Sequence, residues 1–141
     1  MYKLRLTFLV LFIAFLSMPA FASEIDMENA WIREAPPVSH VQAGYVTFIN
    51  NQTTELTLVE ASSAAFKSIE FHKTVEENGA FKMFYFPSIT IPHDKPVDFK
   101  PGGLHLMLFN PVKPLHAGEK VDITFKFKNG LSTTTQFIVK K

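Results

Sequence analysis

The sequence contains no cysteine. That absence excludes a disulfide framework, a thiol nucleophile, a cysteine-ligated zinc or iron–sulfur site, a blue-copper centre and a lipid-modified cysteine at a processing site. A surplus of charge is also missing: 14 Lys and Arg stand against 13 Asp and Glu, so nothing in the balance argues for nucleic acid. No nucleophile elbow, phosphate-cradling glycine loop or zinc-protease helix occurs, and no enzyme activity is expected. Methionine is sparse, with five in the chain, of which only Met27, Met83 and Met107 lie beyond residue 22.

The longest apolar run is at the start. Lys3 and Arg5 precede Leu6 to Leu16, which is uncharged and almost wholly apolar, and Ala20-Phe21-Ala22 supplies small residues at an A-x-A site. Basic start, apolar stretch and A-x-A predict a secretory signal peptide over 1–22, cleaved before Ser23; the run is too short to span a bilayer comfortably. Residues 23–141 then form a single domain, exported to the periplasm and without a membrane span. Export removes Lys3 and Arg5 and leaves the mature chain close to neutral.

From Glu24 onward the pattern is one of short strands and turns. The segments 30–33, 42–50, 55–61, 67–72, 80–86, 97–100, 104–109, 120–127 and 133–139 are rich in β-branched and aromatic residues. Between them lie Pro36-Pro37, Asn50-Asn51, Glu77-Asn78-Gly79, Pro92-His93-Asp94, Pro111 to Gly118 and Asn129-Gly130, all turn chemistry. An all-β domain follows, an antiparallel sandwich or Greek-key barrel, with Ser62 to Phe66 as its one helical turn.

One strand organises the candidate chemistry. After the turn Pro101-Gly102-Gly103, Leu104, Leu106 and Leu108 alternate toward a core, which sends His105 and Met107 to the opposite face. Residues two apart on a strand project the same way at roughly 6.5 Å, close enough for an imidazole and a thioether to meet one ion. Ile69 and Phe71 alternate inward in 67–72, which turns His72 outward. Met83 stands in Phe81 to Phe86, where both faces are apolar and its direction is not fixed. Methionine more often fills a core than binds an ion, and only convergence with the other three would make Met83 a ligand. His40, His93 and His116 sit in turns and read as solvated, with His93 the one to examine for a supporting role; Trp31 and Arg33 read as packing and a surface ion pair.

His72, ten residues, Met83, twenty-one residues, then His105-x-Met107 resembles the His-x10-Met-x21-His-x-Met pattern of the periplasmic copper chaperone family PCuAC. The likeness continues through Ala30 to Pro37, Ala43-Gly44-Tyr45, Glu76 to Gly79, Lys100 to Leu108 and Lys113-Pro114-Leu115. The resemblance implies a cupredoxin-like β-sandwich that binds Cu(I) through His72, Met83, His105 and Met107. It also implies delivery of copper to the copper-site subunit of respiratory cytochrome oxidase, alongside Sco-type thiol proteins. Some relatives add a His- and Met-rich tail; this sequence ends at Lys140-Lys141.

The donor set agrees with that ion. Two thioethers and two imidazoles are soft and neutral and suit Cu(I), whereas zinc, calcium and magnesium favour harder or anionic ligands. Methionine and histidine do not cross-link in an oxidising compartment as thiols do. Imidazole binds a metal in its neutral form, so affinity is expected to fall below about pH 6.5. Copper storage or detoxification would use the same residues, and a metal-free ligand-binding sandwich is the reading if the four lie apart. Ser23 at the expected mature start is not the N-terminal histidine of copper oxygenases or CopC-like carriers.

Overall fold

The computed structural model describes residues 23–141. The expected signal peptide, 1–22, lies outside the described residues. Ten strands follow in chain order: β1 (Ile25–Arg33), β2 (Val41–Asn50), β3 (Leu56–Ser62), β4 (Phe66–Glu77), β5 (Ala80–Phe86), β6 (Ile89–Ile91), β7 (Val97–Phe99), β8 (Leu104–Pro111), β9 (Lys120–Phe127) and β10 (Ser132–Lys140). They hydrogen-bond in the order β5-β4-β8-β7-β2-β1-β10-β9-β3-β6, and β2 also pairs with β8.

β1 joins the two halves of this order. It runs antiparallel to β2 from Ile25↔Asn50 to Ile32↔Gly44, and its last residues run parallel to β10. A bulge between Glu28 and Trp31, with Asn29 at φ 53°, lets one strand serve both. The sandwich is thus mixed rather than wholly antiparallel, since β7 and β8 also pair in parallel. The bulge explains why only Ala30 to Arg33 read as strand: Ile25 is buried at an odd position and Ile32 at an even one, so the alternation changes phase midway.

Phenylalanines fill the space between the halves. Phe48 of β2 meets Phe99 of β7 and Phe125 of β9 edge-on, with ring centroids 5.3 and 5.1 Å apart. Phe71, Phe127 and Phe137 are buried in the same cluster, with Leu106, Leu108, Ile123 and Val139. β2 and β8 approach closely where Gly44 faces Leu106: a Cβ on Gly44 would stand 3.4 Å from both Leu106 Cβ and Leu108 Cδ1. The branches of a valine there would overlap those side chains, and Gly44→Val is expected to cost about 1–3 kcal/mol, read as a lower urea midpoint with unchanged m.

Three local expectations are corrected. Ser62 to Phe66 is not a helical turn: Ser62 ends β3, Phe66 begins β4 and 63–65 form a tight turn between them, in which the Ser63 hydroxyl accepts from the Ala65 N–H and donates to the Asp122 carbonyl. β4 does not stop at His72 but runs on to Glu77 and returns as β5 through Asn78-Gly79, both with positive φ, the two-residue turn that matches strand twist. β6 lies between Ser88 and Pro92 and is only three residues long, too short for an alternation to declare itself.

Candidate metal centre

β5, β4 and β8 are adjacent, and their register sets the site. Residues directly opposite across an antiparallel pair share a face. His72 of β4 is opposite His105 of β8, Glu70 is opposite Met107, and Phe71 is opposite Leu106 on the core side. On the other flank of β4, Tyr85 of β5 is opposite His72 and Met83 is opposite Thr74. Thr74 and His72 are two apart on one strand, so Met83 joins His72, His105 and Met107 on the face turned away from the core. Its direction, open in the sequence, is settled by this register; Met83 is 50% exposed and is no core filler.

The imidazole rings of His72 and His105 lie 6.0 Å apart, tilted by 30°. Met83, His105 and Met107 line one cavity of about 330 Å³ together with residues of β1, β2 and the segment between them, Arg33, Glu34, Pro36 and Gln42 among them; His72 does not line it. A larger depression of about 580 Å³ near Ser63, Lys113 and Asp122 offers no imidazole or thioether. Facing away from the core does not mean exposed: His105 is only 7% accessible, and Met107 is half-buried.

Hydrogen bonds decide which ring nitrogens are free. His105 Nδ1 lies 3.1 Å from the Gly103 carbonyl oxygen, which can only accept, so the proton is on Nδ1 and the lone pair on Nε2. His72 Nε2 lies 2.8 Å from Glu70 Oε2, while His72 Nδ1 is buried without any partner. A buried polar atom left unpaired is costly, and a lone pair held toward an incoming ion is one arrangement that gives it a purpose. Both histidines therefore have one nitrogen anchored and one open, as metal-binding imidazoles do. No group of three or more His, Cys, Asp or Glu side chains poised around a metal occurs among the described residues, which therefore offer no anionic cage for a harder ion.

The comparisons with known proteins bear on this arrangement. The model of the family described as "Putative lipoprotein LpqE-like" matches residues 25–139. The chain belongs to the LpqE-like family. A protein named "Putative lipoprotein Lxx21020", from Leifsonia xyli subsp. xyli, is 32% identical over 120 residues, 84% of this chain. The LpqE-like chain spans 71% and 62% of the length of the two curated relatives it matches. Among solved structures, the copper-bound PCuAC domain from PmoF2 superposes with a TM-score of 0.71 at 23% identity, covering 84% of this chain and 93% of that one. The solution structure of CuI-DR1885 from Deinococcus radiodurans gives 0.66 at 30% identity, covering 79% and 75%. The cupredoxin-like sandwich expected from the PCuAC resemblance is the fold of this LpqE-like chain. The family description speaks of a lipoprotein, yet this sequence has no cysteine to carry a lipid.

The other residues singled out in the sequence fall into place around the site or away from it. Met27 packs beside the core and accepts a hydrogen bond from Thr135 Oγ1 at its sulfur, 3.3 Å away. His40 is exposed, as is His93 in the loop after β6, and neither is hydrogen-bonded to the four site residues among the described residues. His116 is exposed beside Glu34, 3.4 Å away; its backbone N–H donates to Glu119 and, with Lys113 second, holds that carboxyl below its usual range. Arg33, expected in an ion pair, instead stacks its guanidinium over Trp31 and Tyr45, 5.7 and 5.8 Å from the ring centroids. It does so while lining the cavity with His105 and Met107. Glu70 is the site neighbour that was not expected from the sequence, and Arg33 was expected in another role. The available signal for Glu70 was its position two residues before His72, on the same strand face.

Proposed function

We propose that this chain binds one Cu(I) ion through His72, Met83, His105 and Met107 and passes it on outside the cytoplasm. The observation that carries the reading is the direct pairing of His72 with His105, each with one nitrogen unanchored, on the face that also holds both thioethers. Two neutral imidazoles and two thioethers match the softness of Cu(I) and neutralise none of its charge, which favours the monovalent over a divalent ion. Two solved structures lend support: the Deinococcus radiodurans protein is described as its CuI form, and the PmoF2 domain as copper-bound. The lipoprotein description of the family accords with a place beyond the cytoplasmic membrane, the compartment to which residues 1–22 would direct the chain. No helix among the described residues is long and apolar enough to cross a membrane.

Release follows from the gradient of burial across the site. Met83 is half exposed on the edge strand β5, Met107 is partly covered, and His72 and His105 lie deepest. An acceptor's ligand reaches the ion on the Met83 side, displaces that thioether first, and forms a mixed-ligand intermediate while the histidines still hold. The acceptor we assign is the copper-site subunit of respiratory cytochrome oxidase, with Sco-type thiol proteins acting alongside. The mature chain, loaded anaerobically with one equivalent of Cu(I), is expected to give up its metal to the apo copper-site domain of that subunit within minutes, followed by separating the two proteins and assaying copper in each. Copper remaining with the donor at every acceptor concentration would favour storage over delivery.

A further inference from the structure

The two histidines are anchored by groups of different kinds. His105 is held by the backbone carbonyl of Gly103, fixed in the turn that leads into β8. His72 is held by the Glu70 side chain alone, on a half-exposed carboxylate. Glu70 reaches it because residues two apart on β4 project from the same face, and it stands directly across from Met107.

A neutral imidazole has two tautomers, and which one binds a metal through which nitrogen depends on the partner of the other. A carboxylate accepts and does not donate. The 2.8 Å contact therefore selects the form of His72 with its proton on Nε2 and leaves the lone pair on the buried, unpartnered Nδ1. Tyr85, whose ring meets the His72 ring edge-on at 5.8 Å, restricts turning of the ring but supplies no acceptor in this contact. Glu70, His72 and His105 do not form a metal-holding triad among the described residues, and the Glu70 carboxylate is engaged by His72 Nε2.

Building on the Cu(I) reading above, we propose that Glu70 is a positioning residue: its carboxylate fixes the tautomer and orientation of the His72 ring, so that Nδ1 is the nitrogen offered to the ion. The donor set is then asymmetric, with Nδ1 of His72 and Nε2 of His105. Loss of a supporting partner of this kind lowers metal affinity roughly 10–100-fold.

The test uses the metal-free mature chain first. Long-range proton–nitrogen NMR of the imidazoles, at a pH where they are neutral, is expected to find His72 protonated on Nε2 in the parent and in Glu70→Gln, whose amide oxygen still accepts. In Glu70→Ala the two tautomers of His72 are expected to mix, while His105 stays protonated on Nδ1 in all three. Anaerobic Cu(I) competition is then expected to give about a tenfold or greater loss for Glu70→Ala and a smaller one for Glu70→Gln. Glu70 is partly exposed, so both variants should melt close to the parent. A His72 tautomer that does not respond to Glu70→Ala, or an unchanged Cu(I) affinity in that variant, would overturn the proposal. Failure of the parent to bind Cu(I) at all would defeat the copper reading instead, and the metal-free spectra would still decide whether Glu70 governs the ring.

Discussion

Replacing Met107 with leucine is expected to lower Cu(I) affinity roughly 100-fold, about 2.8 kcal/mol at 1.4 kcal/mol per tenfold, with the fold intact. The magnitude comes from a comparison of shells: an outer partner of a ligand is worth 10–100-fold, and a direct ligand belongs at or above the top of that range. Leucine is the informative replacement because it keeps the volume and apolar character of methionine and removes only the sulfur. Such exchanges usually cost less than about 1.5 kcal/mol of stability, and Met107 is half-buried on the face away from the core, opposite Ala43 and Glu70. Anaerobic competition with a chromophoric Cu(I) chelator measures the affinity, and a melting curve on the same sample checks the fold. Met83→Leu belongs in the same series. Unchanged affinity in both variants would remove the thioethers from the site and leave the imidazoles as its donors.

The largest effect on stability is expected at Phe48. Its side chain is fully buried and joins the halves of the sandwich, meeting Phe99 and Phe125 edge-on. Phe48→Ala removes the ring's transfer free energy and two aromatic contacts, and it leaves a cavity that rigid strands on both sides cannot close. A loss of about 3–5 kcal/mol is expected, against a total of about 5–15 kcal/mol for an ordinary domain. Urea denaturation followed by tryptophan fluorescence would report it, since Trp31 is the sequence's single tryptophan. A loss under about 1 kcal/mol would mean that the two halves do not depend on this ring for their packing.

How far the sequence disclosed the site depended on where each strand lies in the sheet. β8 is flanked by neighbours and packs one face on the core, so Leu104, Leu106 and Leu108 alternate and place His105 and Met107 without ambiguity. β5 is an edge strand exposed along nearly its whole length, yet it is rich in aromatic residues on both faces. Its composition resembles that of a buried strand, which hid the direction of Met83; only the Asn78-Gly79 turn, by fixing the register with β4, resolves it. Glu70 and Arg33 stayed hidden for another reason. Their roles come from contacts with a ring on the same strand and with rings on β1 and β2, and neither a charged residue on a strand nor an arginine after a tryptophan is distinctive in a sequence. The family-like spacing marked the four candidate donors, while their mutual placement is a property of three neighbouring strands.

β1 also gives the molecule a direction. Arg33, at its end, borders the cavity of the site, whereas Ile25, at its start, pairs with Asn50 at the opposite pole, roughly 25 Å away at 3.3 Å per residue. A chain cleaved before Ser23 therefore begins at the remote pole. Its new N-terminus lies away from the cavity and leaves the approach to Met83 uncrowded by the start of the chain.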